Sequence, residues 1–518
     1  MYGLQKVLQN RTLPTTRRRM DAEGMDAVPV PSGDLERELG GDAASVSLAS
    51  SASSASSASS ASSASSASSA SSTSVPRPVL VLSAVFLLLF SAFFTMQNFV
   101  TSVLDGSDGF VALAVLYGCI NLGTHFAPSV VQRLGLRASL ALSASTYTFM
   151  NVGVAAAVTV LEGTAAARVL VMLTSAMCGL GAAVLWTAQG AYVTGVALGG
   201  GGDGGSGSGG GVPVERCQSA FFAIFSVSGV VGFSGALLCI DGLGLSDGAM
   251  LWVMAGASVL ALASFALVPP LARSGQAQAQ AQAQQGKEGS AQQQQQQQQQ
   301  QPSMRAKLAQ MLGLFRRRNI ALTALASMHC GCMEGFFWGA VPAALSSSDT
   351  SRAFILHGAT SALASWSVGR LTGSSGGRAA GKWYRDPKAV YVCLVLLSLL
   401  AAGLAVAGLR MGDEEAAQGG TRKSALLIGG IGVFGAADMP AQALLRALVG
   451  KEYAEVPELA ASMSFVLFCL TVGNVLFFGL GPVVAPWKQG MLVAAIGVAA
   501  AAAFVLRDNS AKAPKVAR

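Results

Sequence analysis

The chain has 518 residues, of which 52% are hydrophobic and only 12% charged, with a net charge of +8. A soluble domain carries about 25% charged residues, so composition excludes an ordinary soluble protein and indicates a polytopic membrane protein. The positive balance does not point to nucleic acid, because the basic residues collect in loops between apolar segments.

Residues 1–78 read as a disordered cytosolic tail. They carry an arginine cluster (Arg17–Arg19) and then an Ala-Ser-Ser repeat that buries too little apolar surface to order itself. From Val79 the chain becomes a series of apolar runs near the ~20-residue length that crosses a bilayer. They are expected near 79–104, 109–131, 137–160, 167–197, 217–240 and 249–271, and then near 319–345, 353–372, 388–409, 424–448, 459–484 and 489–507. This gives an N-terminal six-helix half over 79–271 and a C-terminal six-helix half over 319–507, with a short tail at 508–518. Between the halves, 272–318 is a Gln-rich linker without a core of its own, expected to be disordered and cytosolic. The predicted fold class is therefore all-α, with twelve transmembrane helices in two six-helix pseudo-repeats.

Loop charge gives an orientation. One set of alternating loops holds Arg133 and Arg137, then Arg305, Lys307 and Arg316–Arg318, then Arg370, Arg378, Lys382, Arg385 and Lys388. The opposite set holds Asp105, Asp108, Glu162, Asp241, Asp247 and Asp413–Glu415. Lys/Arg-rich loops stay cytoplasmic, so both termini are expected inside. The plasma membrane is the default location, since nothing in the sequence addresses the chain elsewhere.

The two halves echo each other. "GLGAAVLWTAQGAY" (Gly179–Tyr192) aligns without a gap on "GVFGAADMPAQALL" (Gly432–Leu445) at a constant offset of 253, seen in Gly179 on Gly432 and in Gln189 on Gln442. "TMQNF" at 95–99 echoes "CMEGF" at 332–336 more weakly. Structural repeats of this kind place a substrate site near midplane between the halves. Asp438 stands where the first copy has Leu185, and Glu334 where it has Gln97.

Several stretches resemble the Unc-ninety-three-like ion channel regulatory family of the major facilitator superfamily. They are "LWTAQGAYVT" (Leu185–Thr194), "FFTMQNFVTSVL" (Phe93–Leu104), "VQRLGLRASL" (Val131–Leu140), "CGCMEGFF" (Cys330–Phe337) and "GAADMPAQ" (Gly435–Gln442). The resemblance implies a major facilitator fold and kinship with regulatory subunits of ion channels, particularly for potassium, and with transporters. In many sugar and drug facilitators the loop after the second span reads Gly-x-x-x-Asp-Arg-x-Gly-Arg. Here Pro128 and Gln132 replace the first Gly and the Asp, and Arg133, Gly135 and Arg137 are what remains of a gating loop.

Asp438 is the only charged residue between Ser424 and Leu445, about 21 Å along the helix from Ser424 at ~1.5 Å per residue. It reads either as a cation or proton site or as a carboxyl held by hydrogen bonds for structure; intramembrane acids are functional candidates by default. Pro440 frees a carbonyl near Ala436. Glu334 is the single acid of the seventh span. It faces the same two readings, with Gly331, Gly335 and Gly339 letting another helix approach. Gln97, Asn98, Gln189 and Gln442 are intramembrane amides that bind ligands or join helices; the symmetric pair Gln189 and Gln442 is expected on the shared axis. His125, Asn121, Trp186 and His329 are secondary candidates. Arg446 is expected at the cytoplasmic end with its stem snorkelling.

No phosphate loop, dinucleotide fingerprint or activated nucleophile is present, so no enzyme and no cofactor are predicted. The "HCGC" at 329–332 packs its candidate ligands into one helical turn, a poor fit to tetrahedral zinc, and no metal is expected. Two functions stay open. One is transport of a small solute or ion, with proton or potassium as candidates. The other is a non-transporting regulatory subunit that binds a channel partner in the bilayer.

Overall fold

The computed structural model describes residues 74–104, 107–199, 212–270, 313, 316–372, 386–411, 413–453 and 456–507. The expected tail up to residue 73, nearly all of the linker 272–318 and the tail 508–518 lie outside the described residues.

The described residues form helices and no strand. In the first half these are α1 (Arg77–Val103), α2 (Asp108–Gly123), α3 (Ala127–Leu134), α4 (Leu136–Thr159), α5 (Ala165–Gly199), α6 (Val214–Leu237) and α7 (Asp247–Ser264). In the second they are α8 (Arg318–Gly335), α9 (Ser347–Thr372), α10 (Pro387–Arg410), α11 (Asp413–Glu452), α12 (Val456–Leu480) and α13 (Pro486–Val505). Local sequence sets several ends. Prolines open α3, α10 and α13, where a missing N–H costs nothing. The Ser246 hydroxyl accepts from the Ala249 amide and caps α7. Gly135 joins α3 to α4 at φ +79°, a conformation open to glycine.

Ten of these helices are long and apolar enough to cross a membrane. The bent pair α2–α3 supplies an eleventh, turning by 64° at a break just before Pro128. The remaining expected span coincides with α9, a 26-residue helix that falls short in hydropathy because it carries Asp349, Arg352, His357, Arg370 and many Ser and Thr. The expected count of twelve therefore stands at ten or eleven by this measure. The tenth span also outgrows its forecast: α11 runs for 40 residues, straight through Pro440. Apolarity marks only the middle of that helix, because its first turns carry Asp413, Glu414, Glu415, Gln418, Arg422 and Lys423.

Close backbone approach holds the helices together, as expected where no water drives their association. Gly232 of α6 lies against the Ser91 carbonyl of α1, and Gly473 of α12 against the Met328 carbonyl of α8. These are the same pair of spans in each half, fifth on first and eleventh on seventh. Gly331 and Gly335 of α8 also face α12, at Leu470 and at Asn474 and Phe477. The two halves meet through α2 on α12, α6 on α9, α5 on α12 and α6 on α11. Exchanging the halves maps this set of contacts onto itself. The spans Arg77–Val100 and Arg318–Ala344 are the most enclosed, each 72% buried, and Pro486–Val505 is the least, at 33%. The first span of each half therefore lines the centre and the last lies outside.

Candidate functional site

A cavity of about 60 Å³, taken as the space open to the centre of a water molecule, lies between the halves. About 10–15 Å³ admits one water on this measure, so several waters or a small solute fit. From the first half it is lined by Phe90, Phe93, Phe94, Leu116, Tyr117, Ile120, Tyr147, Trp186 and Phe225. From the second come Glu334, Trp338, Met439, Gln442, Arg446, Leu467, Leu470 and Thr471.

The first-half wall is an aromatic cluster. Phe90 packs against Trp186 with ring centroids 5.3 Å apart, Phe93 against Tyr147 at 4.7 Å and Phe94 against Trp338 of the other half at 4.6 Å. The repeating Phe positions of α1 produce this face, since residues three and four apart share one side of a helix.

The second-half wall is polar. Glu334 lies in the last turn of α8, which leads through Gly335 into a π-helical turn, Phe336–Ala340, that carries Trp338 to the cavity. Such turns widen a helix and recur at functional sites. The Glu334 carboxylate accepts from Gln442 Nε2 at 2.7 Å and from Asn474 Nδ2 at 2.8 Å. Gln442 Nε2 also donates to Asp438 Oδ1 at 3.0 Å. One amide therefore bridges the two acids. Asp438 does not line the central cavity. It lies one layer behind, beside a cleft of about 10 Å³ bordered by His329, Cys330, Tyr391 and Ser398, and its Oδ2 has no hydrogen-bond partner among the described residues.

Arg446 corrects the sequence expectation. It does not snorkel to an edge: it is 2% exposed and lines the cavity. Its guanidinium lies over the rings of Trp186 (5.2 Å to the centroid) and Phe222 (5.6 Å) and donates to Gln189 Oε1 at 3.3 Å and the Trp186 carbonyl at 3.4 Å. The offset of 253 held the signal, because it sets Arg446 opposite Val193, which is fully buried. Asn474 and Tyr117 were also missed; both are polar groups within apolar runs.

The other candidates divide. Trp186 and Gln442 line the cavity, whereas Gln189 is buried beside it and takes the Arg446 hydrogen bond. Gln97 donates to the Tyr117 hydroxyl at 3.1 Å, one layer out from the cavity. Asn98 donates to the Phe94 carbonyl of its own helix. Asn121 joins the halves, donating to Phe468 O and Thr471 Oγ1 of α12. His125 sits at the break after α2, its ring against Phe468. His329 contacts Ser398 at 3.4 Å inside the second half. Arg133 is exposed, and Arg137 donates to the Ala266 carbonyl after α7.

The family model for "Ion channel regulatory protein UNC-93" matches residues 100–197. The likeness is to UNC-93 proteins. Protein unc-93 homolog A is 35% identical over 159 residues in Homo sapiens and 35% over 157 in Bos taurus. Each match covers 30% of this chain and 32% of the relative, so the chain matches about a third of the length of those relatives. The UNC-93 segment contains Tyr117, Tyr147, Trp186 and Gln189, and it stops before Glu334, Asp438, Gln442 and Arg446. Among solved structures, the major facilitator proton:xylose symporter XylE superposes with a TM-score of 0.55 at 11% identity, covering 82% of this chain and 94% of that one. A partially occluded inward-open form of XylE from E. coli gives 0.52 at 14%. At that identity the likeness speaks for fold alone, and the fold is that of a multi-pass major facilitator membrane protein.

Proposed function

We propose that the protein moves a small solute or ion across its membrane by alternating access, the two halves rocking about the cavity between them. The observation that carries this reading is Glu334, an acid facing a cavity walled by both halves. A carboxyl at that depth has a large cost to offset and is a functional candidate by default. Glu334 meets the solute or ion. Asp438, joined to it through Gln442, takes up and releases the coupling proton or cation. The plasma membrane and cytosolic termini belong to the same proposal.

The test is flux into proteoliposomes under imposed proton and potassium gradients, with Glu334→Gln and Asp438→Asn beside the parent chain. Protein-dependent flux lost in both variants is expected. Undiminished flux in both sinks the coupling role of the acids.

A second reading has its own support. The description of the matching family names an ion channel regulator, and Gln132 stands where a gating carboxylate is common in facilitators. On that reading the chain is a scaffold for a channel, including a potassium channel. A channel that co-purifies in fixed stoichiometry, together with proteoliposomes that pass nothing, would favour it.

A further inference from the structure

The cavity presents one acid and one base and otherwise mostly apolar surface. Glu334 and Arg446 both border it, and among the described residues no ion pair within 4 Å joins them. Their separation follows from the helix. Gln442, which holds the Glu334 carboxylate, lies four residues before Arg446 on α11, about 6 Å of rise. The rest of the space is bounded largely by aromatic rings, among them Phe90, Phe93, Tyr147 and Trp338.

We propose that this cavity binds a small zwitterion, an α-amino acid with a short apolar side chain. The inference rests on the transport reading only in taking the cavity as the solute site. The ammonium of the ligand meets the Glu334 carboxylate, whose two oxygens each keep a lone pair beyond the amide bonds they accept. The carboxylate of the ligand meets the Arg446 guanidinium, a planar donor suited to that group. Hydrogen bonds of about 3 Å at each end let so short a molecule reach both residues. The side chain lies on the aromatic wall.

The alternatives fit less well. A simple amine gives Arg446 no counter-charge, and a simple carboxylate gives Glu334 none. The cavity volume of about 60 Å³ favours alanine over bulky amino acids.

The experiment uses the purified full chain in detergent. Trp186 and Trp338 border the site, so tryptophan fluorescence reports occupancy. L-alanine is titrated against ethylamine, which lacks its carboxylate, and propionate, which lacks its ammonium. Alanine is expected to give a saturable change, with each analogue at least about tenfold weaker. In Glu334→Gln alanine falls to the affinity of propionate, and in Arg446→Gln to that of ethylamine. No saturable response to alanine, or an analogue that binds as well as alanine, overturns the proposal. The parent-chain titrations decide the matter even where a variant does not fold. Binding without flux would end the transport reading and keep this site; flux that depends on Glu334 without alanine binding would do the reverse.

Discussion

The fourth and tenth spans are the same helix used twice. In register, Leu185 aligns with Asp438, Trp186 with Met439, Gln189 with Gln442 and Val193 with Arg446. Trp186 and Met439 both reach the cavity, so the two copies present the same face. Both copies carry a buried amide, yet the first has uncharged Leu185 and Val193 where the second has the acid Asp438 and the guanidinium of Arg446. The difference teaches that the scaffold is symmetric and the chemistry is not. The second half carries the charge, while the first supplies the ring faces on which the charge of Arg446 rests. The segment matched by the UNC-93 family model holds Tyr117, Tyr147 and Trp186 of the ring-bearing wall, but not Phe90, Phe93, Phe94 or Phe225, and none of the charged wall.

Copying the charges into the first half should break this arrangement most severely. Val193→Arg puts a second guanidinium into a fully buried position. An uncompensated buried charge costs about 3–5 kcal/mol. The expected outcome is loss of the monodisperse peak in size-exclusion chromatography, and a well-folded variant would contradict the asymmetry.

Glu334→Gln tests the charged wall itself and keeps the shape of the side chain. Removing one partner of a buried charge contact costs about 2–5 kcal/mol of binding. Solute flux at low concentration should fall by at least about thirtyfold, with the thermal midpoint little changed. Gln442→Leu cuts the bridge between the acids and leaves one oxygen of each without its donor. A loss of about 1–3 kcal/mol in stability is expected, read as a lower thermal midpoint, and Glu334→Gln in the same chain should recover part of it. The smallest effect belongs to the aromatic side. Trp186→Phe keeps a ring beneath Arg446 but weakens the cation–π contact by about 0.5–1 kcal/mol. The KM for flux should rise by no more than about fivefold.

Much of the fold was legible in the sequence, for a physical reason. Hydrocarbon forces every crossing segment to satisfy its own backbone and to be apolar along its length, so length and hydropathy mark the spans directly. Polar residues weaken that mark: α9 was expected at 353–372 yet falls short in hydropathy, and the start of α11 lay outside the expected 424–448. Glu334, Asp438 and Gln442 were equally legible, since a lone polar group in an apolar run stands out. Their joining through one amide was not, because Glu334 and Gln442 lie 108 residues apart.

Sequence alone determined that the chain is an all-helical membrane protein built from two related halves, with Asp438 and Glu334, the acids inside its expected spans, in the second. Tertiary structure decided which of those groups meet. It moved Arg446 from an expected helix edge to the cavity, placed Asp438 one layer behind, and set an aromatic wall from the first half opposite the charges of the second. Helical spacing fixes which residues share a face, but only the packing of one helix on another fixes what that face meets.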